Sequence, residues 1–287
     1  MLRIVLRYLV RHPILTLYAV ARDPRDLWGR VCDDLVYARE QRGPPCRYEA
    51  VADWEERLHE SLGAAWPCPT NAECSLLWPP IINLLSARGI RVGPESYLYW
   101  NDGDPALIRA LWCLVRHLRP QKIVETGVAH GMTSRFVLEA LEKNGTGGLW
   151  SIDLPPFQPV WQDEVGIAVV DTVRQRWSLI RGSSRQHLEP LLSQLGSIDL
   201  FIHDSLHSER NLRFELDRAW AALKPGGVIV VDDVDANSGF RSFLRAYPGH
   251  FSLVCEAEPL RPDRRRFNEK GLFGIILKGP SPRPAEY

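Results

Sequence analysis

A net charge, a long apolar run and a paired cysteine motif are all missing from this sequence of 287 residues. Because the formal net charge is zero, we expect no electrostatic attraction to nucleic acid. The 6 cysteines include no Cys-x-x-Cys pair, so a reducing, cytoplasmic location is the default expectation. A structural zinc ion at Cys68 and Cys74 would lack partners at the usual spacing. With 45% apolar residues, the chain can nevertheless bury a full core.

The first residues, Met1 to Ala21, are apolar but carry arginines at regular intervals, at Arg3, Arg7 and Arg11. These charges interrupt any signal-peptide core, and no run of about 18 uncharged apolar residues follows. The spacing puts the arginines on one face of a helix. We favour a helix that packs on its own protein or on a second copy in a homo-oligomer. The alternative is a basic amphipathic helix that lies on an anionic membrane surface.

The composition changes near residue 104. Residues 1–103 have helical patterns that are interrupted by proline and glycine, and they predict a helical cap or an oligomerisation region. Asp104 followed by Pro105 is a typical helix start. Beyond it, strands and helices alternate to about residue 279, which predicts one domain over 104–279 and a flexible tail over 280–287.

The apolar patterns within 104–279 predict seven strands and six helices. The predicted strands are Ile123–Glu125, Leu149–Asp153, Trp177–Arg181, Leu200–His203, Val228–Asp232, Phe251–Ala257 and Leu272–Lys278. The predicted helices are Ala106–Leu118, Thr133–Lys143, Ile167–Gln175, Arg185–Leu195, Ser208–Leu223 and Ser238–Ala246. The alternation indicates an α/β fold, a doubly wound and mainly parallel sheet with helices on both faces. Only a polar loop joins the last two strands, so we predict a hairpin with an antiparallel last strand.

A glycine-rich turn follows the first predicted strand, which ends at Glu125. Gly127, Ala129 and Gly131 make the turn, and a helix begins near Thr133. Such a turn lets the backbone approach a ligand closely, and the following helix presents free N–H groups. In an open α/β sheet, this is where a nucleotide-like ligand binds.

Three further features lie at the ends of predicted strands. Asp153 ends the second strand, where a carboxylate can accept both hydroxyls of a ribose; the alternative is that it only caps a turn. Ser183 follows the third strand, where an adenine edge would lie. Pro225-Gly226-Gly227 turns into the fifth strand. Each feature is weak alone, and the series is a stronger signal.

These residues resemble the class I S-adenosylmethionine-dependent methyltransferases, whose fold is a Rossmann-like seven-stranded sheet. The resemblance covers about residues 104–279. It implies that S-adenosylmethionine is the cofactor. It also implies that the cofactor-binding residues are Glu125, Gly127, Ala129, Gly131, Asp153 and Ser183. Two positions depart from the family pattern: Ala129 stands where glycine is common, and Ser183 stands where many relatives have an aspartate.

Acidic residues end the fourth and fifth predicted strands, with Asp204 after one and Asp232 and Asp233 after the other. Because the carboxyl ends of adjacent parallel strands face the same crevice, we expect the three carboxylates to converge. Such a cluster is repulsive unless protons or a cation intervene. Oxygen ligands of this kind suit Mg²⁺.

The acidic cluster resembles the metal site of catechol-type and macrolide-sugar O-methyltransferases, and in particular the branch called methyltransferase domain 24. The resemblance implies transfer of a methyl group to a hydroxyl of a small molecule or sugar, with Asp204, Asp232 and Asp233 on the metal. Asp204 and His207 are the predicted catalytic residues. A neutral His207 at the start of a helix could take the acceptor proton.

Other interpretations stay open at this point. Transfer without a metal is one, with the acids as loop caps and His207 in a structural hydrogen bond. A nicotinamide-dependent oxidoreductase is another, although the turn is Gly-x-x-x-Gly rather than Gly-x-Gly-x-x-Gly. A non-catalytic binding module is the third, since a fold does not fix a function.

Overall fold

The computed structural model describes residues 24–40, 46–93, 101, 103–154, 162–260 and 271–279. The predicted arginine helix within 1–21, most of the polar loop between the last two strands and the tail over 280–287 lie outside these residues. Among the helices that are described, none is both long enough and apolar enough to cross a membrane.

One mixed sheet of seven strands forms the centre of the described structure, in the order β3-β2-β1-β4-β5-β7-β6. The strands are β1 Lys122–Thr126, β2 Gly148–Asp153, β3 Trp177–Arg181, β4 Ile198–His203, β5 Leu223–Val231, β6 Phe251–Glu256 and β7 Leu272–Leu277. Strands β1 to β5 pair in parallel, and β7 pairs antiparallel with both β5 and β6. The predicted Rossmann-like sheet and its antiparallel last strand are therefore confirmed.

Helices lie before and between the strands. They are α1 Pro24–Glu40, α2 Trp54–Leu62, α3 Asn71–Ser75, α4 Trp78–Ala87, α5 Pro105–Leu118, α6 Met132–Asn144, α7 Asp171–Arg174, α8 Ser184–Leu195, α9 Glu209–Ala222 and α10 Gly239–Ala246. Helix α5 begins as predicted, because the Asp104 carboxylate accepts a hydrogen bond of 2.9 Å from the Ala106 N–H. It ends at Arg119, which adopts a left-handed conformation.

The predicted helix over Ile167–Gln175 is wrong for most of its length, since only Asp171–Arg174 is helical. Backbone donors just before α7 are used elsewhere. The Gly166 N–H donates to the Ala129 carbonyl and the Ala168 N–H donates to the His130 carbonyl, each at 2.9 Å. These bonds join the segment to the glycine-rich turn, and only the single helical turn α7 follows it.

Helices from the N-terminal third share the core of the sheet. Trp54 and Ile81 are buried in one apolar cluster with residues of α5, α6 and several strands. The Trp54 ring meets Phe273 of β7 edge-on, with centroids 5.4 Å apart. Arg109 of α5 joins Glu55 of α2 to Glu258, with N···O distances of 2.6 Å to both. Whether residues 1–103 act as a cap or an oligomer surface stays a prediction.

The glycine-rich turn is in direct contact with the end of β4. Gly127 has φ 86°, and a Cβ built there would overlap the backbone carbonyl of Asp204. The Asp204 N–H donates to the Thr126 carbonyl at 2.9 Å. This close approach requires glycine, and it brings the turn after β1 against the residues that follow β4.

Gly127→Ala is expected to lower the free energy of unfolding by roughly 3 kcal/mol or more, through backbone overlap added to a strained φ. Gly145→Ala is the matched control, because Gly145 also has a positive φ but nothing lies within 4 Å of its added Cβ. The control should cost about 1 kcal/mol from the strained φ alone. Chemical denaturation measures both, and equal losses in the two variants would contradict the close approach.

Candidate functional site

The glycine-rich turn leads from β1 into the N-terminus of α6. Gly131 is the residue before the helix and is left-handed, with φ 82°. Its added Cβ would lie 2.9 Å from the Gly166 Cα, so the turn is closely packed there. Ala129 also has a positive φ, 50°, where relatives commonly have glycine. Non-glycine residues hold this conformation only where their surroundings impose it.

Asp153, the predicted ribose acid, faces this turn from the end of β2. Its Oδ2 accepts a hydrogen bond of 3.2 Å from the Ala129 N–H. Burial raises the pKa of Asp153 to about 6, although backbone N–H groups of the turn oppose the shift. Ser183 stands at the start of α8, and the neighbouring Gly182 N–H donates to the Asp153 carbonyl at 2.8 Å. The structure thus brings Asp153 to the turn, and Ser183 follows the residue that is hydrogen-bonded to Asp153.

Glu125 lies behind the turn and is fully buried. Its Oε2 accepts hydrogen bonds from the Ser134 hydroxyl at 2.7 Å and the Ser151 hydroxyl at 2.6 Å. Its Oε1 has no hydrogen-bond partner among the described residues. Burial raises the pKa of Glu125 to about 7, against the two hydroxyl contacts.

His130, inside the turn, is 3% exposed rather than free in solvent. Its Nδ1 lies 2.7 Å from the Asn101 side-chain nitrogen, and its Nε2 lies 3.3 Å from a Glu164 carboxylate oxygen. Desolvation lowers the pKa of His130. This ring therefore joins the turn to Asn101 and Glu164.

The predicted acidic cluster forms where β4 and β5 end. Asp204, His207 and Asp232 each offer a ligand atom, and the three atoms lie within 4.8 Å of one another. The His207 Nε2 is 3.8 Å from the Asp204 Oδ1. His207 lies one residue before Ser208, whose hydroxyl caps α9. The structure therefore places His207 among the acids, at the start of a helix as the sequence suggests.

Asp233 lies on the other side of the His207 ring. Its Oδ2 is 3.7 Å from the His207 Nδ1. Asp233 is left-handed, with φ 48°, and precedes a short 3₁₀ turn over Val234–Ala236. The imidazole thus stands between two carboxylates, Asp204 on one nitrogen and Asp233 on the other. Of the three acids predicted to hold a metal, Asp204 and Asp232 are the two grouped with His207.

Desolvation raises the pKa of Asp204 well above its usual value, and the charges of Asp232, Asp233 and Glu125 add to the effect. The Asp204 side chain is still 31% exposed, so its carboxylate edge can meet a ligand. The Asp232 Oδ1 is buried and has no hydrogen-bond partner among the described residues. Two carboxylates that repel and one imidazole nitrogen are a donor set that fits a divalent cation such as Mg²⁺ or Mn²⁺.

Two residues behind this cluster were missed by the sequence analysis, His203 and Glu215. Both are fully buried, and the His203 Nδ1 lies 2.6 Å from the Glu215 Oε2. Burial raises the pKa of Glu215, but the charge and hydrogen bond of His203, together with hydroxyl contacts that include Thr126, lower that pKa to about 2. The His203 ring stands 5.5 Å from the His207 ring, edge to face. A pair that joins a strand to a helix 12 residues later has no local sequence signal.

Comparison with known proteins gives one family-model match, over part of the chain. Residues 124–234 match the family model described as a methyltransferase domain. The matched segment contains the glycine-rich turn, Asp153 and the acidic cluster. No curated protein sequence matches the chain.

Solved structures share the fold at low identity. A protein from Klebsiella pneumoniae designated an O-methyltransferase has a TM-score of 0.51 and 16% identity, and the match covers 79% of this chain and 96% of that one. The cofactor-bound protein Rv0187 from MTB has a TM-score of 0.51 and 15% identity, with 81% and 99% covered. A Staphylococcus aureus protein designated a caffeoyl-CoA O-methyltransferase has a TM-score of 0.50 and 12% identity, and the match covers 79% of this chain and 98% of that one. At such identities the likeness shows the fold alone.

The Glu125 carboxyl makes the stability of the protein depend on pH. Its pKa is about 7 in the folded chain against an ordinary 4.5, so the unfolded chain binds fewer protons between these values. Folding stability is therefore lost as the pH rises through that window. Glu125→Gln should match the wild type near pH 4 and exceed its free energy of unfolding by up to about 3 kcal/mol near pH 8.

Denaturant unfolding at several pH values, without added metal or cofactor, measures this difference. Glu189→Gln is the control, since the Glu189 side chain is 65% exposed and should give no pH-dependent difference. A Glu125→Gln difference that stays constant between pH 4 and pH 8 would contradict the raised pKa.

Proposed function

We propose, from the premise that this chain belongs to the methyltransferase family matched by residues 124–234, that it moves a methyl group from S-adenosylmethionine to a hydroxyl of a small molecule or sugar. The observation that carries the proposal is the contact between the glycine-rich turn and the acidic cluster. Gly127 packs against the Asp204 backbone, so a donor at the turn and an acceptor at the acids would be neighbours. Reacting atoms need this proximity.

In this proposal the turn and its surroundings bind the donor. Gly127, Ala129 and Gly131 would bring the backbone and the start of α6 close to the cofactor. Asp153 would accept hydrogen bonds from the ribose hydroxyls, and Ser183 would lie near the adenine edge. Glu125 would act from behind the turn with its Oε1, which has no hydrogen-bond partner among the described residues. S-adenosylmethionine supplies an activated methyl group when bound.

The acceptor side needs a group that removes a proton, because an alcohol is a poor nucleophile until it loses its hydrogen. His207 is suited to this step, since an imidazole nitrogen can accept the proton as the oxygen attacks. Asp204 and Asp233, 3.8 Å and 3.7 Å from the ring nitrogens, would orient the imidazole. They would also stabilise the imidazolium that forms.

A divalent ion fits the same cluster. Asp204 and Asp232 would hold it with Asp233 as a further ligand, and His207 would remain the proton acceptor. Such an ion would lower the pKa of an acceptor hydroxyl and fix its direction. A metal-free variant of the reaction is the second candidate. The position of His207 between two carboxylates favours it, because that arrangement can act as a base without an ion.

The donor site predicts micromolar, one-to-one binding of S-adenosylhomocysteine, the product form of the cofactor, in calorimetric titration. Asp153→Asn should weaken this binding roughly 10- to 100-fold, because a charged acceptor is replaced by a neutral one. Asp171→Asn is the control, since the Asp171 side chain is fully exposed and should leave the affinity unchanged.

Undetectable binding to the wild type would contradict the cofactor assignment. A nicotinamide dinucleotide is titrated in parallel, and its binding in place of S-adenosylhomocysteine would support the oxidoreductase interpretation. Binding of S-adenosylhomocysteine without transfer to any member of a panel of phenols and sugars would favour the non-catalytic module.

The acidic cluster predicts a different pattern for variants on the acceptor side. His207→Gln should lower the rate of methyl transfer to that panel by about 10²- to 10⁴-fold while S-adenosylhomocysteine still binds. Asp232→Asn should abolish the binding of Mn²⁺, which electron paramagnetic resonance measures. It should also lower the rate of methyl transfer to a degree similar to that in His207→Gln. Asp217→Asn, at a site on α9 that pairs with Arg213, is the control for both measurements.

Chelation separates the two candidate reactions. Full activity in excess EDTA, together with a loss of activity in His207→Gln, would exclude the metal-dependent reaction and support the metal-free one. Unchanged rates in both His207→Gln and Asp232→Asn would contradict the placement of the acceptor site.

A further inference from the structure

A second cluster of metal-binding side chains lies outside the segment that the family model matches. His59 is on α2, Cys68 follows α2 in the next loop, and Cys113 and His117 are four residues apart on one face of α5. Each offers one ligand atom, and the four atoms lie within 4.8 Å of one another. His59 and Cys113 are buried, and Cys68 and His117 are half-buried.

The distances in this cluster match a tetrahedral site. The Cys113 Sγ is 3.3 Å from the His59 Nε2, and the Cys68 Sγ is 3.6 Å from the His117 Nε2. In a tetrahedral zinc site with ordinary bond lengths, sulfur and nitrogen ligands are about 3.5 Å apart. The side chains are therefore spaced as they would be around an ion, with no rearrangement of the backbone.

Outer contacts also orient the ligands. The His59 Nδ1 lies 2.6 Å from the Glu55 carbonyl oxygen, so it carries the proton and Nε2 presents its lone pair to the cluster. The Thr70 hydroxyl is 3.4 Å from the Cys68 Sγ. The Trp112 indole donates to Thr70 at 3.0 Å and 3.2 Å, which fixes that loop residue against α5.

We propose that His59, Cys68, Cys113 and His117 bind one zinc ion as a closed, four-coordinate structural site. The ion joins α2 and the loop after it to α5. With all four positions taken by protein, it has no open position for a substrate. It is separate from the acidic cluster, whose oxygen donors suit a harder cation.

The charges of the cluster agree with this assignment. Two thiolates and two neutral imidazoles balance the charge of Zn²⁺.

The competing explanation is a redox pair, because the sulfur atoms of Cys68 and Cys113 lie within 4.8 Å of each other. A disulfide between them would use both sulfurs and leave His59 and His117 without a shared role. Metal binding accounts for all four side chains, including a His59 that is 2% exposed.

The experiment uses the full chain, purified under reducing conditions, with metal content measured by mass spectrometry. We expect about one zinc ion per chain. After exchange for Co²⁺, the protein should show the visible spectrum of tetrahedral cobalt and a thiolate-to-cobalt charge-transfer band. The acidic cluster cannot give that band, since it contains no sulfur.

Cys113→Ser and His117→Gln should each lose the zinc and the charge-transfer band. Cys255→Ser is the matched control, because Cys255 is a fully buried thiol outside the cluster, and it should keep both. Chelation should lower the Tm of the wild type and of Cys255→Ser, and added Zn²⁺ should restore it. The wild-type cobalt spectrum stands even if a variant fails to fold.

Three results would overturn the proposal. One is reduced wild-type protein that takes up neither zinc nor cobalt. Another is a cobalt spectrum that lacks the sulfur band. The third is a Cys68–Cys113 disulfide, found by peptide mapping, in protein that never held metal.

Discussion

Three carboxylates that are wholly or partly removed from water are the constraint on which one edge of this sheet depends. Parallel strands end together, and here they bring Glu125, Asp153 and Asp204 to the same edge. Burial raises the pKa of all three. An edge of this kind is stable only when protons or cations reduce its negative charge. The proposed donor is a sulfonium, and the proposed acceptor-side ion is divalent. Each therefore brings positive charge to a place where the fold already holds an excess of negative charge.

Glu215 is an acid near the same edge that has no role in the proposed ligand sites. This carboxylate accepts hydrogen bonds from the Thr126 and Ser205 hydroxyls, at 2.5 Å and 2.8 Å, and from Asn211 at 3.0 Å, besides its contact with His203. Its charge is thus met by donors inside the protein, and it links the ends of β1 and β4 to α9. The residues around Asp204 are held by this network. Glu125 at Oε1 and Asp232 at Oδ1, by contrast, have no hydrogen-bond partner among the described residues.

The sequence predicts those parts of the molecule that depend on local patterns. Apolar runs located all seven strands, and the residues after them located Asp153, Asp204 and Asp232, because strand ends are readable and parallel strands end together. The predicted helix over Ile167–Gln175 was wrong for most of its length. The Gly166 and Ala168 N–H groups bond to the Ala129 and His130 carbonyls, and no local pattern shows such long-range pairing. Glu215 was missed for the same reason. The sequence alone does not distinguish a buried glutamate on a helix from a solvent-exposed one, because its partners are distant in the chain.

The acidic cluster and the histidine–cysteine cluster also differ in how far the sequence could predict them. Asp204 and Asp232 come from adjacent strand ends, and their topology could be predicted. His59, Cys68 and Cys113 come from separate segments that only tertiary packing brings together. From the sequence, a zinc ion was therefore considered only at Cys68 and Cys74, which lack partners at the usual spacing. Their chemistry differs as well, because oxygen donors favour hard ions and thiolates favour zinc. A closed site on α5 would fix the helix that precedes β1, and β1 carries the glycine-rich turn. An open site at the strand ends would keep a coordination position for the substrate. Selectivity of the two sites would then follow from ligand softness alone, without any barrier between them.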